Sequence, residues 1–202
     1  MNTQNDKRSL MTKKKMADAL LLLMKKTPVY QISVQQLTRT ADINRSTFYY
    51  YYDNIFELLK EMETRFFEEL ESALDSHMIQ KKSDASYPYA AAIFRHIGKH
   101  QKFYMLMQGP TGDPHFNQQF KQFLNRKRII NYHIMDSKNW DIFWADKETD
   151  SFRNEFLNYG LIGMIDFWLS SGMRQTPEEL SRMYAGWFTS VVQFSIHVEI
   201  PF

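Results

Sequence analysis

Arg45-Ser46-Thr47-Phe48 runs directly into four consecutive tyrosines, Tyr49 to Tyr52. Such a run offers one guanidinium, two aliphatic hydroxyls and four phenols. Hydroxyl and phenol groups donate well to phosphate oxygens, and an arginine fork can bridge O6 and N7 of guanine. At about 100° per residue on a helix, Phe48 and Tyr52 share one face and Tyr50 points nearly opposite, close to Ser46. Tyr49 and Tyr51 fall on the flanks, Tyr51 on the side of Thr47. An aromatic packing helix accounts for Phe48 and Tyr52 but leaves Tyr50 in water without a purpose. The outward face of Ser46, Thr47 and Tyr50, with Arg45 on the first turn, suits contact with a nucleic acid.

Three local signals place this face. Ser33-Val34-Gln35-Gln36 is a capping box, in which a serine and a glutamine three residues on satisfy each other's backbone amides; a helix to about Ala41 follows. Asp42-Ile43-Asn44 is a tight turn, and Asn44 is a good N-cap for a helix over 45–51. Asn54-Ile55-Phe56-Glu57 is a second capping-box candidate opening a periodic run to about Met78, roughly 35 Å of helix. Upstream, residues 12–27 form an amphipathic helix stopped by Pro28. Two short helices across a three-residue turn are the ingredients of a helix-turn-helix, whose second helix enters the major groove.

Charge follows the same division. Residues 1–60 hold ten Lys/Arg against five Asp/Glu, and residues 61–202 hold fifteen against eighteen. A basic head on a mildly acidic body fits either a polyanionic partner for the head alone or an ordinary solvated lysine-rich terminus. The chain has no cysteine, which excludes disulfides and thiolate chemistry and fits a reducing cytoplasm. No apolar run is long enough to span a bilayer, so no membrane partner is expected. Neither G-x-S-x-G, H-E-x-x-H, a P-loop nor G-x-G-x-x-G occurs, and nothing in the sequence points to catalysis or a cofactor. His96 and His100 are four apart, the spacing at which a helix presents two imidazoles to a metal, but no third ligand is identifiable and no metal site is expected.

Beyond Met78, helices fit residues 87–100, 102–108, 115–138, 149–171 and 177–198, separated by the loop Gly109 to Pro114 and by Thr176-Pro177-Glu178-Glu179, an N-cap with proline at N1 and an acidic first turn. The fold reads all-α with about nine helices: a helix-turn-helix domain over 1–53 and a helical domain over 54–202.

Residues 12–60 resemble the DNA-binding domain of the TetR/AcrR family of bacterial regulators, through Ser33-Val34-Gln35-Gln36-Leu37-Thr38, Ala41-Asp42-Ile43-Asn44-Arg45-Ser46-Thr47-Phe48-Tyr49-Tyr50 and Leu58-Leu59. The stretch Tyr159-Gly160, Gly163, Trp168 and Gly172 followed by Pro177-Glu178 resembles a subgroup that includes regulators of dihydroxyacetone kinase genes. The resemblance implies base or phosphate contacts from Gln35, Arg45, Ser46, Thr47, Tyr49, Tyr50 and Tyr51, with Ser33 on the backbone. Two departures stand out: Asp42 occupies a turn position usually held by glycine, and Ile55 occupies one that favours a phosphate-binding lysine. Phosphate affinity is then either modest or leans on Lys13, Lys14 and Lys15.

The resemblance further implies a homodimer formed through the last two long helices and a pocket for a small-molecule effector. Gly160, Gly163, Phe167, Trp187, Val191 and Phe194 are the candidates for the interface. Phe66, Phe103, Tyr104, Met107, Phe120, Tyr132, Met164 and Asp166 are the candidates for the pocket. The expected function is that of a ligand-responsive repressor on a near-palindromic DNA operator; the alternative is a co-regulator acting through protein contacts.

Overall fold

The computed structural model describes residues 3–78, 88–132 and 147–197. Among these residues it contains nine α-helices and no strand: α1 (Thr3–Met24), α2 (Val34–Ala41), α3 (Arg45–Tyr51), α4 (Ile55–Met78), α5 (Pro88–Lys99), α6 (Gln101–Gln108), α7 (Phe116–Tyr132), α8 (Lys147–Ser170) and α9 (Pro177–His197). The expected bounds hold within a residue or two for most helices. Helix α1 differs, starting at Thr3 rather than near residue 12. Its first turns lack an apolar stripe, so periodicity had no signal there. The 3₁₀ turn Val29–Gln31 was also not anticipated, because three residues are too few to display a period.

The chain divides into two compact units. The first comprises residues 1–68 and 102–117, and the second residues 69–101 and 118–202. Packing therefore groups the first part of α4, together with α6 and the loop after it, with the three N-terminal helices. The expected division into 1–53 and 54–202 was drawn by role, and these packing units are drawn differently.

In the first unit, Met16, Leu20 and Met24 of α1 are fully buried, as are Leu37 of α2 and Phe48 of α3. The loop 109–114 is fastened to this unit by the Val29 amide, which donates to Thr111 O at 3.0 Å. Gly112 permits the fit: a Cβ there would fall against Leu106 O and the Met107 backbone. Phe66, Phe103 and Tyr104 converge on Phe116, with ring centroids 5.3 to 6.2 Å apart.

Glu63 lies buried beside this loop. Burial, and then the charge of and hydrogen bond to Asp113, push its carboxyl up to about 7. An acid whose folded-state pKa is raised favours the folded state most at low pH, and that advantage fades as pH rises through about 7. Glu63→Gln should therefore raise the melting temperature at pH 8 and leave it nearly unchanged at pH 4.5. The expected gain is about 1–2 kcal/mol, trimmed from the full shift because half-exposed Asp113 is screened by water. Equal gains at both pH values in a thermal-melt series would refute this account.

The second unit is built around α5, against which α8 and α9 pack. Ala90, Ala91 and Ala92 are buried along with Ile93, Phe94 and Ile97; small residues let the neighbouring helices approach closely. Trp168 of α8 meets Phe94 edge-on at 5.9 Å, and its indole N–H donates to Gln175 O at 2.9 Å. Helix α8 ends with Gly172 and Met173 at positive φ, 88° and 54°. Helix α9 starts at a formed capping box: the Glu179 amide donates to Thr176 Oγ1, and the Thr176 amide to Glu179 Oε2.

Candidate nucleic-acid interface

The local code for α2 is realised in full. The Gln36 amide donates to Ser33 Oγ at 3.2 Å, and the Ser33 amide donates to Gln36 Oε1 at 2.8 Å. Helix α2 is stopped by Asp42 in the left-handed region, φ 52° and ψ 56°. Aspartate is among the few residues besides glycine that adopt this conformation readily, which explains why the turn works without glycine. Asn44 occupies the N-cap of α3 with extended backbone, but its side chain makes no capping hydrogen bond.

The turn presents α3 as its periodicity requires. Phe48 is 0% exposed and Tyr52 4%, whereas Tyr49 is 55% and Tyr50 81% exposed. Arg45 and Ser46 are exposed, and Thr47 and Tyr51 half-buried. Arg45 Nη2 donates to Gln35 Oε1 at 3.3 Å, so α2 and α3 share one polar surface. Tyr50 and Tyr51 meet edge-on at 4.9 Å, which limits the freedom of the outermost ring. Ser33, at the N-cap of α2, is exposed. Tyr30, 64% exposed in the 3₁₀ turn, adds a phenol that the sequence did not single out.

The positive charge is distributed unevenly. Lys13 Nζ lies 2.8 Å from Glu61 Oε2 and above the Tyr51 and Tyr52 rings at 5.8 and 5.4 Å. Its charge is already committed, so Lys14 and Lys15, both exposed, carry the basic character of α1 outward. Burial and the nearby Glu61 carboxylate push the Tyr52 phenol upward, keeping it neutral.

At the start of α4, Ile55 is 4% exposed and belongs to the core. The Glu57 amide donates to Asn54 Oδ1 at 3.1 Å, and the Asp53 amide to Glu57 Oε2 at 2.8 Å. The second capping box thus forms in a shifted version, with the glutamate reaching one residue beyond the cap. Side chains occupy these amides, leaving less of the helix terminus for an anion.

Residues 84–188, more than half of the chain, match a family model described as the C-terminal region of TetR-type transcriptional regulators. The HTH-type dhaKLM operon transcriptional activator DhaS of Lactococcus lactis subsp. lactis is 30% identical over 146 residues, 71% of this chain and 72% of that protein. The chain belongs to the TetR family of transcriptional regulators. Solved structures agree at the level of fold. The dihydroxyacetone kinase operon activator DhaS superposes with a TM-score of 0.58 at 22% identity, over 92% of this chain and 98% of that one. A TetR transcriptional regulator from Streptococcus agalactiae superposes with a TM-score of 0.62 at 22% identity, over 93% and 98%. Within this TetR-family chain, no described helix is long and apolar enough to cross a membrane.

The remaining candidates separate by unit. Phe66, Phe103, Tyr104 and Met107 are all buried in the first unit. In this conformation three of those side chains fill space ring against ring, so an effector there needs the rings to part. In the second unit Phe120 is buried, Met164 half-buried and Asp166 exposed. The side chains of Tyr132, Val191 and Phe194 lie outside the described residues.

Helix α8 is apolar on two sides. Leu157, Leu161, Ile165 and Trp168 are buried, while Phe152, Phe156 and Phe167 are 74, 63 and 73% exposed. Tyr159, Gly160 and Gly163 lie on the exposed side, and a Cβ on either glycine would meet nothing within 4 Å. On α9, Met183 and Trp187 are exposed.

Proposed function

We propose that this regulator binds operator DNA as a homodimer, with α3 in the major groove of each half-site. Tyr50 supports this reading most directly: a ring 81% exposed beside exposed Tyr49, Arg45 and Ser46 makes an aromatic and polar patch of the kind that marks an interaction site. In this assignment Arg45 and Gln35 read base edges. Ser46, Thr47, Tyr49 and Tyr51 hold phosphates, Ser33 touches the backbone, and Lys14 adds sequence-independent attraction. Residues 1–53 form the DNA-binding part, and 54–202 carry dimerisation and effector binding.

The exposed stripe of α8, with Gly160, Gly163 and Phe167, and Trp187 of α9 form the dimer surface in this reading. A contiguous exposed apolar stripe of this kind marks an interaction surface, and glycines whose Cβ positions meet nothing allow two backbones to approach. Two α3 helices then sit about one DNA turn apart, roughly 34 Å. A small-molecule effector that binds one arrangement better than the other shifts α4 and releases the operator. Repression follows from occupancy of the operator. A second reading, activation, is favoured by the Lactococcus relative, whose name is that of an activator.

Titration against DNA flanking the protein's own gene, across a salt series, tests this. The expected result is a specific complex whose log affinity falls linearly with log salt. Tyr50→Ala should weaken it roughly tenfold or more with the fold unchanged. Equal affinity for all sequences, or none, would replace this reading with a co-regulator acting through protein contacts. A reporter fused to that flanking DNA separates repression from activation by the direction of the change on deletion of the regulator.

A further inference from the structure

His96 and His100 lie one turn apart on α5, and the fold brings Glu69 of α4 beside them. The candidate ligand atoms of the three residues all lie within 4.8 Å of one another. His100 Nε2 is 3.0 Å from Glu69 Oε2, and the two imidazole rings are 4.5 Å apart. His96 is buried and the other two are half-buried, so the cluster is held by packing rather than displayed on a mobile surface. All three residues belong to the second compact unit.

We propose that Glu69, His96 and His100 form a binding site for a divalent transition cation of the Zn²⁺ class, through which the cation acts as an effector. Two imidazoles and one carboxylate are the donor set of zinc sites that keep a fourth position open. Imidazole donors favour Zn²⁺, Ni²⁺ or Cu²⁺ over Mg²⁺ and Ca²⁺, which take oxygen ligands. Bonds of about 2.0–2.1 Å on a tetrahedral ion place ligand atoms about 3.3 Å apart. The Glu69–His100 separation is already near that value, and rotation of the imidazoles brings in the rest.

Lys99 Nζ sits 3.0 Å from the same Glu69 oxygen, on a side chain 69% exposed. A dication displaces this ammonium readily into solvent, so Lys99 acts as a competitor. The arrangement predicts an unusual result: removing a positive charge at Lys99 tightens cation binding.

The effector role rests on the DNA-binding reading; the site does not. Helix α4, which carries Glu69, begins directly after α3 and its cap, so a cation tying α4 to α5 acts on the helix that follows the recognition helix. Calorimetric titration of chelator-treated full-length protein with Zn²⁺ at pH 7.5 tests the site. The expected result is one saturable site per chain and a melting temperature raised by roughly 5–10 °C at a hundredfold excess over Kd. Glu69→Gln and His100→Gln should each weaken binding about tenfold or more while retaining the helical spectrum, and Lys99→Ala should strengthen it. Co²⁺ substitution gives an independent readout, visible d–d absorption whose position and intensity His100→Gln changes by removing an imidazole nitrogen from the ligand set. Non-saturable binding, or equal binding by all variants, overturns the site. Saturable binding with an operator affinity that does not respond to Zn²⁺ overturns the effector role alone. An absence of operator binding with Zn²⁺ binding intact counts against the DNA reading and not against the site.

Discussion

Phe167→Glu should convert the proposed dimer into a monomer and sharply weaken operator binding. Phe167 is 73% exposed on α8, on the side that carries Phe156, Gly160 and Gly163, so the change touches no core and the chain should fold normally. In a two-fold dimer the same surface meets itself, so each new carboxylate is buried near the axis and close to its own copy. Desolvating an unpaired charge costs several kcal/mol, more than one aromatic contact contributes. A monomer holds one half-site, and operator affinity should fall by roughly a hundredfold or more once the second half-site no longer binds intramolecularly. Sedimentation and operator titration measure the two effects separately. Persistence of the dimeric mass in Phe167→Glu would move the interface elsewhere, and Trp187→Glu on α9 would then report whether the second half of the proposed surface also has no role.

Arg45→Ala should relax sequence preference rather than abolish binding. Arg45 is exposed on the first turn of α3, and its guanidinium is already oriented by Gln35 Oε1 at 3.3 Å. A bidentate arginine–guanine contact is worth about 1–3 kcal/mol of discrimination, so the specific complex should weaken roughly tenfold to a hundredfold. Affinity for unrelated DNA should change little, and the salt slope should fall by at most about one charge. Lys14→Ala provides the contrast, weakening all sequences alike. If Arg45→Ala weakened specific and non-specific DNA equally, arginine would be a phosphate contact and base reading would have to be assigned to Gln35.

The helix-turn-helix was legible because its information is local. Ser33 and Gln36 satisfy each other's amides within four residues, and Phe48 and Tyr50, two apart on one helix, fall on opposite sides by geometry alone. The effector candidates were less legible for the opposite reason. Phe66, Phe103 and Tyr104 have the same chemistry whether they line a pocket or fill a core. Only their convergence on Phe116, which comes from a different part of the chain, shows that they are packed against one another here. Glu69 was missed as a companion to His96 and His100 because no spacing rule joins α4 to α5.

By itself, the sequence determined the all-α class, the bounds of α2 and α3, and the outward ring, Tyr50; each depends on the covalent order of neighbours and on a helical period of 3.6. Tertiary structure decided what depends on distance between remote segments. It committed Lys13 to Glu61, buried Ile55 in the core, and left Phe152, Phe156 and Phe167 on an uncovered side of α8. It also brought a carboxylate of α4 within reach of two imidazoles on α5. Side-chain chemistry was visible from the start, but which groups become neighbours follows only from how the helices pack.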